Sequence, residues 1–130
     1  MKATIIILTA LTVLVSSCGP SSSTDERGLD PERFEQMLTE SNDKVILDVR
    51  TPEEFADGHI PGALLINVNE SDFKAKVSEL DKSKTIFVYC AAGIRSEKAS
   101  AVLKDSGFEK VYHLEDGLKA WNNAQKELTK

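Results

Sequence analysis

One of the two cysteines in this 130-residue chain, Cys90, stands where a thiol becomes a nucleophile. It closes an apolar run, Thr85-Ile86-Phe87-Val88-Tyr89, and is followed at once by Ala91-Ala92-Gly93-Ile94-Arg95-Ser96 and then by apolar residues at helical spacing. That order reads as a strand, a tight loop beginning with a thiol, and a helix N-terminus. The unpaired amides and positive dipole end of a helix favour the thiolate, and a small glycine-containing loop lets successive N–H groups converge on an anion. Ala91, Ala92 and Gly93 leave the approach from solvent open, and Arg95 adds a cation with a planar fork of donors. The loop therefore reads as a nucleophile in an anion pocket, with residues Ala91, Ala92, Gly93, Ile94, Arg95 and Ser96 as its binding wall.

A second motif lies at the end of another apolar run. Asp48 and Arg50 follow Val45-Ile46-Leu47, and ligands of open α/β sheets bind off the carboxyl ends of strands. The two motifs should meet there. Asp48 either orients the loop or a substrate, or fixes backbone amides. Arg50 is expected to form a structural ion pair with Glu54 near the site, in preference to a substrate contact. His59, within Gly58-His59-Ile60-Pro61-Gly62, is expected to hold a turn by hydrogen bonding rather than act as a base. His113 ends a strand on the ligand-binding edge and is read as partly exposed, without a role.

The elements that must position these groups alternate. Strand candidates are residues 45–49, 63–67, 85–89 and 110–114, continuous apolar runs of the kind found in a parallel sheet covered on both faces. Asp30 caps a helix with Pro31 at its first position and Phe34, Met37 and Leu38 on its buried stripe. Thr51-Pro52-Glu53-Glu54 is a capping box that opens a short helix ended by Gly58. Phe73, Val77 and Leu80 mark a third helix, and Ala99, Val102 and Leu103 mark a fourth that stops at Gly107. Leu118, Trp121, Gln125 and Leu128 mark a last one, with Trp121 read as core rather than as a ligand platform.

Residues 1–17 read as an export leader. Lys2 supplies a positive start, residues 3–15 are apolar with three threonines, and Val15-Ser16-Ser17-Cys18 places small residues before a cysteine. The run is shorter than the roughly 20 apolar residues of a membrane span. Val-Ser-Ser-Cys resembles the lipobox of bacterial lipoproteins, which implies cleavage before Cys18 and its lipidation; acyl chains attached there in the plural suffice for anchoring, whereas one does not. An ordinary cleaved signal peptide and a buried N-terminal helix are the competing readings. Residues 18–28 then form a lipidated cysteine and a Ser-rich tether; ten extended residues span at most about 33 Å, which keeps the remainder near the bilayer, facing the periplasm from either membrane.

Residues 29–130 suffice for one domain. The formal charge is −5, and removal of Lys2 with the leader leaves 15 basic against 21 acidic residues, or −6. No basic cluster exists, so nucleic acid is not an expected partner. With Cys18 acylated, Cys90 has no internal disulfide partner, which in an oxidising envelope points to a reactive thiol or an odd buried one.

Four segments in one order resemble the single-domain rhodaneses over roughly residues 29–130. They are Cys90-Ala-Ala-Gly-Ile-Arg95-Ser96, matching Cys-x-x-Gly-x-Arg-Ser; Leu47-Asp48-Val49-Arg50; Glu54-Phe55-Ala-Asp-Gly58-His59-Ile60-Pro61-Gly62-Ala63; and Leu114-Glu-Asp-Gly117-Leu-Lys-Ala120-Trp121, similar to Gly-Gly-x-x-Ala-Trp. The resemblance implies an α/β three-layer sandwich around a mostly parallel sheet of about five strands. It implies sulfane-sulfur transfer by double displacement, from an anionic donor such as thiosulfate to cyanide or a thiol through a Cys90 persulfide, with a protein acceptor also compatible. No metal or organic cofactor is implied, because the thiol carries the group. A monomer is the default.

Two departures accompany the match. Ala91 and Ala92 are neutral where some thiosulfate-using members carry cations, and Asp116 replaces the first glycine of the pair, so the turn there is expected to differ. The alternatives are a noncatalytic interaction or sulfur-carrier module, which usually lacks the cysteine, and a cysteine-dependent phosphatase or arsenate reductase. Phosphatase loops place five residues between cysteine and arginine; here Ala91 to Ile94 make four, a ring better suited to one sulfur atom.

Overall fold

A computed structural model of the chain describes residues 28–130. The expected leader, Cys18 and the tether up to residue 27 lie outside the described residues.

The elements run β1 (Gly28–Leu29), α1 (Pro31–Glu40), β2 (Lys44–Asp48), α2 (Pro52–Asp57), β3 (Leu64–Leu65), α3 (Phe73–Ser78), β4 (Thr85–Tyr89), α4 (Ile94–Asp105), β5 (Val111–Leu114) and α5 (Gly117–Asn123). All strands pair in parallel in the order β1-β5-β4-β2-β3. β4 is central, and its side chains alternate between faces as strand geometry requires. Ile86, Val88 and Cys90 enter one core with Leu47, Val77, Ala99 and Leu103. Phe87 and Tyr89 enter the other with Phe34, Leu38, Leu114, Leu118 and Trp121. Helices therefore cover both faces, and the expected three-layer α/β architecture is present. The one-step alternation also sets the address of the nucleophile: Cys90 points to the face that carries α4.

Local chemistry explains the punctuation. The Asp30 carboxylate accepts the Arg33 N–H at 2.8 Å, capping α1. In α2 the Thr51 hydroxyl accepts the Glu54 N–H, and the Glu54 carboxylate accepts the Thr51 N–H, a reciprocal cap. Phe34 stands edge-on to both Phe87 and Trp121, at 5.5 and 6.1 Å between centroids, an arrangement that aromatic quadrupoles favour. Trp121 is core, as expected, and its indole N–H donates to the Glu127 carbonyl at 2.9 Å.

The strand expected at 63–67 is only Leu64–Leu65, and the third helix stops at Ser78, short of Leu80. β2 lies one residue earlier than 45–49, β5 starts one residue later than 110, and the two chain ends differ further. Gly28, assigned to the tether, is the first residue of β1 and pairs with His113; a two-residue strand is too short to show any periodicity. The last helix stops at Asn123 instead of continuing through Leu128. Gln125 takes a left-handed φ of 56°, and the Lys126 N–H returns to the Trp121 carbonyl at 3.1 Å, so the chain reverses. Leu128 still packs on the core, but from an extended tail in which Thr129 exchanges two 2.8 Å backbone hydrogen bonds with His59.

Candidate active site

Cys90 follows the last residue of β4 and is 1% exposed. Its Sγ accepts the amide N–H of Gly93 at 3.1 Å and that of Ser96 at 3.4 Å, and lies 3.6 Å from the Ser96 hydroxyl. Two of the six loop amides thus aim at sulfur, which is how backbone dipoles hold negative charge where side chains have no room. Gly93 makes the loop possible. Its φ of 96° lies in the left-handed region, and a Cβ there would stand 3.0 Å from the Asp116 nitrogen.

A second support comes from α5. The Leu118 N–H donates to the Cys90 carbonyl at 2.9 Å and the Lys119 N–H to the Ala91 carbonyl at 3.0 Å. The free amides at one helix start hold the carbonyls of the loop whose own amides hold the thiol. Asp116 adopts φ 56° and Gly117 φ 59°, two successive left-handed residues that turn the chain into α5. A short polar side chain tolerates this region better than most.

The cation of the loop is not free. Arg95 Nη2 donates to Glu54 Oε1 at 3.1 Å and Nη1 lies 3.0 Å from Oε2, a two-pronged ion pair with α2. The arginine hydrogen bond holds the Glu54 carboxyl below its ordinary range, against the opposing effect of burial. The expected Arg50–Glu54 pair is thereby corrected. Arg50 instead binds Asp48 through Nε and Nη2, with Nη2–Oδ2 at 2.7 Å, because two residues in extended sequence at the strand end face the same buried pocket. Arg50 also donates to the Gly58 carbonyl at 2.7 Å and lies over the Tyr89 ring. Asp48 is fully buried and accepts the Arg50 backbone N–H, so of its two readings the fixing of backbone amides is the one observed. Burial works to lower the Arg50 pKa, and the Asp48 hydrogen bond and charge overcome it and leave it raised. Burial, followed by the Asp48 carboxylate, pushes the Tyr89 phenol up, and its oxygen accepts the Ile60 N–H at 3.1 Å.

The histidines divide. His59 Nδ1 lies 2.9 Å from the Phe55 carbonyl and its ring stacks on Phe55 at 3.7 Å, the turn-holding part expected of it. His113 is half-buried, and its Nδ1 lies 3.5 Å from the Ser96 hydroxyl, so it touches the wall of the site. Burial lowers its pKa, opposed by Glu97 and Glu115. Spacing could not have revealed this contact, because β5 and α4 meet only through the fold. Among the described residues, no group of three or more His, Cys, Asp or Glu side chains is placed to hold a metal ion. Beside the loop lies a cavity of about 290 Å³ lined by Ala92, Gly93, Ile94, Glu97, His113, Glu115 and Asp116.

Residues 30–124 match the rhodanese-like domain family. The chain is 36% identical over 93 residues to a sulfurtransferase of Allochromatium vinosum, covering 72% of this chain and 85% of that protein. It is 34% identical over 88 residues to the thiosulfate sulfurtransferase GlpE of Shewanella oneidensis, covering 68% and 85%. The crystal structure of a rhodanese-related protein from Thermoplasma volcanium superposes with a TM-score of 0.70 at 25% identity, over 79% of this chain and 97% of that one. With a thiol at the end of the central strand, an amide-lined loop around it and this match across most of its length, the chain belongs to the rhodanese-like domain family.

Proposed function

We propose that the protein is a sulfurtransferase carrying sulfane sulfur on Cys90. The observation that carries this reading is the pair of amides, Gly93 and Ser96, aimed at Sγ in a loop walled by Ala91 and Ala92. In the first step the Cys90 thiolate attacks the outer sulfur of a donor such as thiosulfate. The new bond joins Sγ to that sulfur, the donor S–S bond breaks, and its electron pair leaves on sulfite. In the second step cyanide or a thiolate attacks the outer sulfur of the persulfide, and the pair of the breaking bond returns to Sγ. The two amides stabilise that returning charge, and sulfur needs no other carrier.

Intact mass before and after thiosulfate treatment tests the reading, with Cys90→Ser alongside. A gain of one sulfur, about 32 Da, in the cysteine form alone supports the covalent intermediate. No gain from reduced protein with either thiosulfate or polysulfide overturns it.

The placement proposed for the protein is the cell envelope, held by lipid on Cys18 and facing the periplasm. The residues that support it are Val15-Ser16-Ser17-Cys18 after an apolar leader. Cys18→Ala is expected to release the protein from pelleted membranes; unchanged pelleting would remove the anchor from the proposal.

A further inference from the structure

The wall of the Cys90 loop joins an exposed apolar side chain to a group of acids. Ile94, within the loop itself, is 78% exposed, and the only other large hydrophobic residue standing out among the described residues is Leu64 at 43%. Glu97, Glu115 and Asp116 are exposed around the same cavity, and Lys119 lines an adjoining one that shares Ala92 and Asp116 with it. Arg95, which could have offset these acids, is engaged by Glu54. A small dianion approaching Cys90 meets three carboxylates against the cations Lys119 and Lys104, the latter acting on His113 in the cavity wall, so the rim on balance opposes the donor class that the amide cradle would otherwise welcome. An exposed isoleucine and charges contributed by α4 and by the β5–α5 turn border one cavity, a footprint that suits a segment several residues long. Cys90 is 1% exposed, so an acceptor sulfur carried by a protein reaches it only on a narrow side chain, such as a cysteine, that projects into the loop.

The geometry points to this cavity as the docking site of a protein segment bearing a cysteine flanked by lysine or arginine, which takes the sulfur from Cys90. The inference rests on the sulfur-transfer reading above. Ile94 supplies the apolar anchor, and the acidic rim steers the basic flanks and sets register. The partner thiolate attacks the outer sulfur of the Cys90 persulfide; a new S–S bond forms on the partner, the bond to Sγ breaks, and the electron pair returns to Cys90. No external oxidant or reductant takes part.

The test uses the full chain, loaded with sulfur by polysulfide and checked by mass, and two cysteine peptides of equal length, one Lys-flanked and one Glu-flanked. The Lys-flanked peptide is expected to accept sulfur about fivefold to tenfold faster at low salt, with the preference largely lost at about 0.5 M salt, where screening shortens charge interactions to a few ångströms. In the Glu97→Gln/Glu115→Gln double variant the rate to the Lys-flanked peptide should fall about fivefold while thiosulfate use rises, opposite movements that a merely weakened fold cannot produce. Equal rates for the two peptides, or a double variant that slows both reactions alike, would overturn the docking site and leave the sulfur-transfer reading intact. Failure of Cys90 to gain mass would overturn both.

Discussion

Replacing Gly117 by alanine should dismantle the site through the backbone. A Cβ at this position would stand 2.5 Å from the Cys90 carbonyl oxygen, 2.6 Å from the Ala91 carbonyl carbon and 2.7 Å from its oxygen. None of these is a side-chain atom that can rotate away, so the start of α5 must withdraw from the loop. Withdrawal breaks the bonds from Leu118 N–H to Cys90 and from Lys119 N–H to Ala91, each worth about 1 kcal/mol. Alanine at φ 59° adds about 1–2 kcal/mol, and residual crowding about 1 kcal/mol or more. The loss is then about 4 kcal/mol, a large part of the 5–15 kcal/mol typical of a whole domain. At about 4–8 °C per kcal/mol for a domain of this size, Tm should fall by at least about 15 °C. Asp116→Gly is the matched control. It relieves a left-handed penalty that a short polar side chain keeps below the usual cost, against about 0.5–1 kcal/mol of added chain entropy, so its Tm should stay within a few degrees. Calorimetry of the two variants decides the matter, with the rate of persulfide formation measured beside it. A Gly117→Ala protein that melts within about 3 °C of the parent and loads sulfur at the parent rate would refute the view that close approach of α5 holds the loop.

Cys90→Ser should abolish sulfur transfer and change stability by less than about 1.5 kcal/mol, since a hydroxyl can take the Gly93 and Ser96 amides; a large drop in a urea midpoint would make Cys90 structural. Asp48→Ala should cost about 3–5 kcal/mol in the same assay, because it leaves the buried Arg50 guanidinium without its counter-ion. His113 gives a pH signature: its folded pKa is lowered by burial, so its contribution is fully present above the unfolded value of about 6.5 and is lost as pH falls from there through the folded pKa. The difference in urea midpoint between the parent and His113→Gln should therefore be flat above about pH 7 and should narrow or reverse below 6; no change in the difference across that window would refute it.

The central strand and its thiol were legible because a buried parallel strand is a continuous apolar run, and β4 coincides with the expected residues 85–89. The two N-caps were legible because Asp30 and Thr51 act within three residues of themselves. What escaped the sequence was pairing across the fold. Glu54 was assigned to Arg50, four residues away, on proximity alone; its partner, Arg95, is 41 residues on. Ser96 and His113 meet only because β5 lies beside β4 in the sheet. Gly117 carried a signal in its place before a helix, but the carbonyls that exclude its side chain belong to a loop 26 residues earlier.

The ion pair with Glu54 separates two tasks that an unpaired Arg95 would have joined. Charge on sulfur is handled at 3.1–3.4 Å by the Gly93 and Ser96 amides, fixed dipoles whose influence fades within the loop. Attraction or repulsion of whatever approaches is decided farther out by full charges, and these are the acids of the rim with Lys119 beside them rather than the paired arginine. The cradle is built from backbone and from residues that cannot change without losing it, Gly93 and Gly117 first among them. Glu97 and Glu115 sit on exposed surface and carry no such constraint. Under the proposed sulfur transfer, substitutions at the rim alone therefore offer one loop to different donors and acceptors, so the reaction type is read from the loop and the partner from its surroundings.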